Sequence, residues 1–178
     1  MTTHPLQRFG HCPVCGSSQF AENNVKSKHC ARCGFTYYAN SSAAVAAFIV
    51  DSDGRLLVGR RAKEPARGTL DLVGGFVDMG ETAEQAILRE VQEESGLELS
   101  QPHYLFSLPN RYLYSGMIIH TLDLFFRFSV PAGTAICAAD DVAELMWLSP
   151  CDVRPDQFGL ESIRRAVTLF LSKDQVVL

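Results

Sequence analysis

The chain has no long hydrophobic run. Its longest apolar run, Ala43 to Val50, is far shorter than the roughly 20 apolar residues that a membrane-spanning helix needs. The first ten residues, MTTHPLQRFG, lack the hydrophobic segment of a secretory signal. We therefore expect no membrane partner and a cytoplasmic location.

Neither sign of charge dominates the sequence. The 178 residues include 16 Lys and Arg against 20 Asp and Glu, for a net charge of −4. A general nucleic-acid binder carries a basic surface, so this balance argues against such a partner. The apolar content of 47% is ordinary for a globular protein, and the length allows one full core plus a small accessory unit.

Four of the six cysteines form two matching pairs. Cys12 and Cys15 lie in Cys-Pro-Val-Cys-Gly, and Cys30 and Cys33 lie in Cys-Ala-Arg-Cys-Gly. Two tight turns that each present two thiolates can converge tetrahedrally on one Zn²⁺. Two disulfides or free thiols are the alternative, and a reducing cytosol disfavours disulfides. The spacing therefore predicts a structural zinc ribbon over residues 1–40.

The other residues with ligand chemistry are predicted to take no part in this site. His11 and His29 each neighbour a cysteine of the ribbon, and we interpret them as bystanders. Cys137 and Cys151 stand alone in the sequence. We expect both to be buried thiols without special chemistry, because free cysteine usually behaves as a small apolar residue.

A glutamate-rich segment, GFVDMGETAEQAILREVQEESGL at residues 75–97, carries most of the functional information. In a helix, at about 100° per residue, Glu90, Glu93 and Glu94 fall on one face. That face begins with apolar residues, whereas an ordinary surface helix places its acids opposite the apolar stripe. Carboxylates that point inward repel each other unless they are protonated or bind cations. Hard oxygen ligands of this kind suit Mg²⁺ or Mn²⁺.

The pattern Gly-x5-Glu-x7-Arg-Glu-Val-x-Glu-Glu-x-Gly-Leu resembles the Nudix box at every defining position. An ordinary glutamate-rich surface helix is the alternative. The resemblance implies that Glu90, Glu93 and Glu94 are catalytic and bind Mg²⁺ or Mn²⁺. It adds the backbone carbonyl of Gly75 as a ligand.

Two further residues of the box have supporting roles in this reading. Glu81 is interpreted as an acid that supports the metal ligands from outside. Arg89 lies four residues before Glu93, within reach of a salt bridge. We expect Arg89 to orient a carboxylate or to pair with Glu81 rather than to contact the substrate.

The resemblance also implies the fold, an α/β/α sandwich of the α+β type with a mixed sheet, in the order β-β-β-α-β-β-α, over residues 41–178. Periodicity alone supports only an α/β or α+β class. Thr82 with Gln85 forms a capping box, and Gly96 ends the helix. We predict a hairpin turn at Asp51–Gly54 and Gly74-Gly75 in a loop. Strands are expected at 43–50, 55–61, 69–73, 104–107, 117–130 and 145–148, and helices at 82–95 and 160–171.

The general base and the phosphate contacts are less closely defined. Glu90 is one candidate base, and Glu144, three residues before Trp147, is a second candidate for base or fourth ligand. The alternative is that Glu144 is a loop carboxylate of the acidic run that contains Asp140 and Asp141. Arg60 and Arg61 precede the catalytic segment and are candidates for phosphate contact or for solvated surface residues.

A zinc ribbon directly before a Nudix domain resembles the NADH pyrophosphatase branch. That branch carries Ser-Gln-Pro-Trp-Pro-Phe-Pro-x-Ser after the box, and residues 107–115 here read SLPNRYLYS. The tryptophan and two of the prolines are absent. The candidate substrate contacts are Ser107, Pro109, Asn110, Tyr112 and Ser115. The alternative is that aromatic residues here pack a strand or a dimer interface.

This resemblance implies hydrolysis of a nucleoside diphosphate linked to another moiety, such as NADH or ADP-ribose, with release of mononucleotides. It also implies a homodimer. Two alternatives remain open at this point. One is a nucleotide sensor without catalysis, and the other is a hydrolase of capped RNA or of nucleoside triphosphates.

Overall fold

The computed structural model describes residues 4–138 and 142–174. Its first sheet is small and antiparallel, in the order β1-β2-β3. The strands are β1 (Phe20–Asn24), β2 (Ser27–Cys30) and β3 (Thr36–Tyr38). Its buried apolar cluster consists of Phe20, Cys12 and Cys30. Because so small a core rarely holds a fold alone, a crosslink such as a metal is expected here.

The second sheet has seven strands and is mixed. Its main path runs β10-β5-β4-β9-β8, with β6 paired to β5 and β7 paired to β4. β4 and β9 are parallel, and the other pairs are antiparallel. The strands are β4 (Ser42–Asp51), β5 (Leu56–Arg61), β6 (Leu70–Asp71), β7 (Val73–Phe76), β8 (His103–Tyr114), β9 (Met117–Val130) and β10 (Val142–Leu148).

The two longer helices cover opposite faces of this sheet. Helix α1 (Ala83–Ser95) packs with Val45 and Ala47 of β4, and helix α2 (Glu161–Asp174) packs with Phe48. Successive side chains of a strand point to opposite faces, so the continuous apolar run of β4 supplies both cores. The expected α/β/α sandwich with a mixed sheet is confirmed.

Helix α1 has the ends that the sequence predicts. The Thr82 side chain accepts a hydrogen bond from the Gln85 backbone N–H, and the Gln85 side chain accepts one from the Thr82 N–H. Gly96 ends the helix in the left-handed region at φ 71°. These caps fix where the last turn lies, and that turn carries Glu93 and Glu94.

The predicted single strand at 69–73 is wrong in detail. The structure has two short strands, β6 paired to β5 and β7 paired to β4. Gly74 and Gly75 therefore lie within β7 and not in a loop. The reason is that β4 and β5 pair only at Val50 and Leu56, beyond which they diverge and leave the edge of β4 to β7.

The predicted strand at 104–107 is also too short. β8 continues to Tyr114 as the edge strand of the sheet, paired with β9. Pro109 lies inside β8, and an edge strand tolerates proline because an outward N–H is not needed for pairing. The strand predicted at 145–148 begins earlier, at Val142.

The two cysteines outside the ribbon lie at the surface. Cys137 and Cys151 are exposed and not buried, because both lie in surface connections and not in strands. Cys137 follows β9, where its N–H donates to the carbonyl of Ser95, the last residue of α1. No helix within the described ranges has the length and apolar character that crossing a bilayer requires.

Candidate functional site

A cleft of about 760 Å³ opens between the sheet and the helices. This volume lies within the range of roughly 300–1,000 Å³ that small-molecule sites occupy. Its lining includes the three box carboxylates and Gly75, together with residues of the predicted substrate segment: Glu90, Glu93, Glu94, Asn110 and Tyr112.

Three of the four glutamates of α1, Glu90, Glu93 and Glu94, line the cleft beside strand β7. Glu94 is buried, and its Oε2 accepts a hydrogen bond from the Gly74 N–H at 3.0 Å. Glu90 and Glu93 accept hydrogen bonds from Nη1 of Arg89 at 2.8 and 3.0 Å. Glu90 and Glu94 thus point inward, as the helical spacing predicts, whereas the Glu93 side chain is about half exposed at the edge of the cleft.

Gly75 allows this close approach. A Cβ added to Gly75 would overlap the Glu90 carboxylate, far inside van der Waals contact. A Cβ on Gly74 would instead overlap the backbone carbonyl of Val45 on β4. One glycine therefore makes room for a carboxylate, and the other makes room for the neighbouring strand.

Arg89 organises the acidic residues. Its Nε and Nη2 bind both oxygens of Glu81 at 2.8 and 3.0 Å, and Nη2 also donates to the Phe76 carbonyl at 3.0 Å. These contacts, Glu81 first, raise the pKa of Arg89, and the same hydrogen bonds lower the pKa of Glu81. Arg89 thus makes both expected contacts, one with Glu81 and one with the carboxylates of Glu90 and Glu93.

The donor set fits a divalent cation in its chemistry. Three carboxylates and a nearby backbone carbonyl are hard oxygen ligands. Among the described residues, however, only the four ribbon cysteines bring three or more His, Cys, Asp or Glu ligand atoms within 4.8 Å of one another. Arg89 holds Glu90 and Glu93, so a cation would have to draw these side chains together.

Glu144 is held elsewhere. It lies opposite Arg60 in the β10–β5 pair, with Oε2 at 3.3 Å from the Arg60 Nε. The Arg60 side chain is partly exposed and that of Glu144 more than half exposed, and Nη1 of Arg60 also donates to the Gly68 carbonyl at 2.9 Å. Arg60 lines the cleft, whereas Glu144 is not among the lining residues. The role of Glu144 as ligand or base stays a prediction, and Asp140 and Asp141 lie outside the described residues.

Arg61 lines the cleft but already has a carboxylate partner. Its guanidinium donates to Asp71 and to the Pro65 carbonyl, the latter at 2.7 Å. Burial raises the pKa of Asp71, and the Arg61 charge only partly opposes this. A phosphate would have to compete with Asp71 for the Arg61 guanidinium. In this structure Arg61 is therefore not available for phosphate binding.

The predicted substrate segment contributes alternate residues of β8. Asn110, Tyr112 and Tyr114 line the cleft. Ser107 and Pro109 belong to the other alternation of the strand, and Ser115 lies in the turn after it. The structure therefore does not bring Ser107, Pro109 or Ser115 to the cleft.

Three aromatic rings form one wall of the cleft. The Phe76 and Tyr112 rings meet edge to face at 5.8 Å, and Tyr112 stacks on Tyr114 at 6.3 Å. Phe76 and Tyr114 are both exposed. A wall of this kind can stack a planar base, since offset stacking is a preferred aromatic geometry.

Buried polar residues form the floor of the cleft beneath α2. The Asp123 carboxylate accepts hydrogen bonds from the hydroxyls of Thr121 and Ser162, each at 2.5 Å. Asn110 is buried beside them. Sequence reasoning missed Asp71 and Asp123, although Asp123 gave a signal as a charged residue at an inward position of an apolar strand.

The four ribbon cysteines form the second candidate centre. The Sγ atoms of Cys12 and Cys33 lie 3.7 Å apart, as do those of Cys15 and Cys30. Tetrahedral zinc with Zn–S bonds of about 2.3 Å places its sulfurs about 3.8 Å apart. Burial raises the pKa of Cys30, but hydrogen bonds from the Cys33 and Arg32 N–H groups outweigh it and lower this pKa to about 7, whereas the neighbouring thiols raise the pKa of Cys33 to about 12. The cluster therefore fits Zn²⁺.

The neighbouring histidines do not join the cluster. Nδ1 of His29 bonds to the Thr36 hydroxyl at 2.9 Å, and His11 is exposed. Neither belongs to the group of converging ligand atoms. Neither imidazole therefore lies where it could bind an ion that the four thiols hold.

Comparison with known proteins gives a family match. The model of the NUDIX domain matches residues 40–169. The chain is 28% identical over 163 residues to the NAD-capped RNA hydrolase NudC of Pseudomonas aeruginosa. That alignment covers 91% of this chain but 55% of the relative, so the chain spans about half the length of that protein.

Solved structures show the same fold. A NUDIX hydrolase from Nitrosomonas europaea has a TM-score of 0.69 at 17% identity, covering 92% of this chain and 90% of that one. A MutT NUDIX hydrolase from Burkholderia pseudomallei has a TM-score of 0.61 at 26% identity, covering 72% and 97%.

Proposed function

The chain belongs to the NUDIX family, and on that premise we propose that it is a metal-dependent pyrophosphohydrolase. Its substrate is a nucleoside diphosphate linked to another moiety, such as NADH, NAD⁺ or ADP-ribose, and the products are mononucleotides. The observation that carries this proposal is the position of Glu90, Glu93 and Glu94 against Gly74 and Gly75 in one cleft.

The residues divide the work of the reaction. We assign Glu90, Glu93 and Glu94 to binding Mg²⁺ or Mn²⁺, with Gly75 as the backbone ligand and Arg89 as the positioning residue. A bound divalent cation supplies charge neutralisation of the phosphate oxygens and a lower pKa for the attacking water. Glu90 and Glu144 remain the two candidate bases.

The substrate class is supported by the shape and chemistry of the cleft. The aromatic wall suits a base or a nicotinamide ring, and the acidic residues that would hold a cation for the pyrophosphate line the same cleft. The NudC relative is named for NAD-capped RNA, which favours a second candidate substrate, the same dinucleotide at the end of an RNA. We therefore still expect no general binding of nucleic acid, but we retain a capped RNA end as a second candidate substrate.

We also propose that the ribbon binds one structural Zn²⁺ and that the chain forms a homodimer. The cysteine geometry supports the first proposal. The second is supported by exposed apolar residues on the outer alternation of the β8–β9 hairpin: Leu113, Ile118 and Leu122. Light scattering coupled to size exclusion tests the dimer, and a monomeric mass would contradict it.

A hydrolysis panel tests the proposed function. Purified protein with Mg²⁺ or Mn²⁺ is incubated with NADH, NAD⁺, ADP-ribose, FAD, dinucleoside polyphosphates, nucleoside triphosphates and NAD-capped RNA, and the products are resolved by mass. Metal-dependent release of mononucleotides from a dinucleotide is expected. Cleavage of triphosphates alone, or tight binding without any turnover, would contradict the proposal.

A further inference from the structure

Asp123 is an unusual residue for its place in the fold. It lies in β9 between Leu122 and Leu124, faces the α2 core and is 6% exposed. Burying a carboxylate is costly unless hydrogen bonds or charges compensate it. The residue therefore has a structural or ligand-binding reason to be there.

Its known partners leave capacity for more hydrogen bonds. Thr121 and Ser162 each donate one hydroxyl, to Oδ1 and to Oδ2 respectively. An ionised carboxylate offers about four lone-pair sites, so each oxygen can accept one further donor. Because Asp123 also lines the cleft, that donor can come from a ligand.

The strand register places this acceptor beneath the aromatic wall. Asp123 lies opposite Leu108, Thr121 opposite Asn110, and Tyr112 is two residues further along the same face of β8. At about 3.3 Å per residue, the four steps from residue 108 to residue 112 span about 13 Å. A tyrosine side chain and one planar heterocycle together can cover this distance.

We propose that Asp123 is a specificity-determining residue, which accepts a hydrogen bond from an amino group conjugated to the planar ring that stacks on the Tyr112 wall. The proposal rests on the proposed function for its substrate class. Two sources fit this chemistry, the exocyclic amine of adenine and the carboxamide of nicotinamide. In either case a ligand with an oxygen in place of the amine would present an acceptor to a carboxylate.

Binding by three matched dinucleotides tests the proposal. Dissociation constants are measured by calorimetry with Mg²⁺ for NAD⁺, its hypoxanthine analogue and its nicotinic acid analogue. Glu93→Gln protein is used so that cleavage is slow. One analogue is expected to bind at least about tenfold more weakly than NAD⁺, because a hydrogen bond to a charged group is lost. The hypoxanthine arm reports adenine in the subsite, and the nicotinic acid arm reports nicotinamide.

Variants of Asp123 connect this preference to the residue. Asp123→Asn in the same background is expected to bring the ratio of dissociation constants close to one. Asp123→Thr removes the charge with a residue that suits a strand, and it serves if the first variant does not fold. Glu161→Gln removes an exposed charge next to Ser162 and is expected to keep the ratio.

Each outcome decides one question. Equal binding of the three dinucleotides by the Glu93→Gln protein, or no binding of any, would overturn the proposal, as would a ratio that survives loss of the Asp123 charge while only thermal stability falls. A preserved preference with no cleavage by wild-type protein would reject the proposed function but keep the subsite. Cleavage by the wild-type protein without a binding preference among the dinucleotides would keep the proposed function and reject the subsite.

Discussion

Gly74 and Gly75 are adjacent in β7 but lack a side chain for different reasons. A methyl group on Gly75 would meet the Glu90 carboxylate, which is the end of a side chain, whereas a methyl group on Gly74 would meet the backbone of Val45. A side chain can move aside and a paired strand cannot do so cheaply. The two positions should therefore separate activity from stability.

We predict that Gly75→Ala folds but loses activity. Displacing Glu90 by an ångström or so should lower kcat by about a hundredfold. Gly74→Ala is expected to lower the free energy of unfolding by about 3 kcal/mol, because the β4–β7 pairing must shift. Chemical denaturation and steady-state kinetics on both variants check this. Equal effects of the two substitutions on stability would contradict the assignment.

Glu93 allows a second prediction, because its side chain is about half exposed (49%). Glu93→Gln keeps the size of the residue and removes a charge. We expect kcat/KM to fall by at least about a hundredfold, since loss of an outer partner of a metal ligand already costs 10–100-fold. The free energy of unfolding should change by less than about 0.5 kcal/mol.

The control for Glu93→Gln lies on the same helix. Glu84→Gln changes an exposed carboxylate in the first turn of α1 and should leave kcat/KM unchanged. Near-normal turnover in Glu93→Gln would reject its role as a metal ligand. A loss of activity in both variants would point to a general effect of helix charge.

Among single residues, the sequence predicts the acidic face of α1 well and the floor of the cleft poorly. Glu90, Glu93 and Glu94 are fixed by helical spacing alone, because one helix places all three. Asp71 and Asp123 lie on different strands, and Ser162 lies on α2. Only the strand register brings Asp71 and Asp123 to one cleft, and only the packing of α2 brings Ser162 to Asp123, and the sequence states neither.

At the level of elements, the turn between β4 and β5 is held by one buried carboxylate. Oδ1 of Asp51 accepts hydrogen bonds from the N–H groups of Asp53 and Arg55, and Oδ2 accepts one from the Arg55 side chain. Burial alone would raise the pKa of Asp51, but these hydrogen bonds outweigh it and lower the pKa below 3.8. The ionised form is therefore favoured by folding.

The sign of this shift gives a pH prediction. Because the folded pKa is depressed, the stabilisation by Asp51 is fully present above the unfolded value of 3.8 and is lost as the pH falls through the folded value. Asp51→Asn should lower Tm at pH 7, and the difference from wild type should narrow below about pH 3.8. Thermal unfolding at several pH values measures it.

A matched control for the turn is Asp53→Asn. Asp53 contacts Arg55 at 3.5 Å but is 63% exposed, so a small effect on Tm is expected. A Tm difference for Asp51→Asn that stays constant down to the lowest pH would contradict the argument. It would mean that packing and not charge explains the loss.

Element boundaries follow the same division between local and non-local causes. The ends of α1 are predicted to within a residue, since capping is a local interaction between Thr82, Gln85 and Gly96. The split of β6 from β7 and the length of β8 depend on which strand each segment pairs with. Pairing partners are distant in sequence, so no local pattern reports them.

For the whole molecule, the sandwich could be predicted from the family pattern, and the ribbon from cysteine spacing. What the sequence does not report is where the segment before the ribbon cysteines lies relative to the larger sheet. A Cβ on Gly116, in the β8–β9 turn, would lie 3.1 Å from Nη1 of Arg8. Residues before the ribbon cysteines thus reach the hairpin that carries Tyr112 and Tyr114.

The last prediction concerns zinc. A closed site of four thiolates has no open position for catalysis, so the ion should stabilise the ribbon without taking part in the reaction. Cys33 is exposed, and Cys33→Ser removes a ligand with little loss of packing. We expect this variant to lose zinc and to unfold its ribbon at a lower temperature, while kcat with Mg²⁺ stays within about twofold of wild type, because a structural site contributes folding energy.

Cys137→Ser is the matched control, since Cys137 is also exposed but lies outside the cluster. Native mass spectrometry should find one zinc per chain in the wild type and in Cys137→Ser. If Cys33→Ser lost kcat while its fold and assembly were intact, the ribbon would have a direct part in catalysis. A change confined to KM would instead mean that the ribbon helps to position the aromatic wall. The Arg8 contact with the β8–β9 turn would be its route.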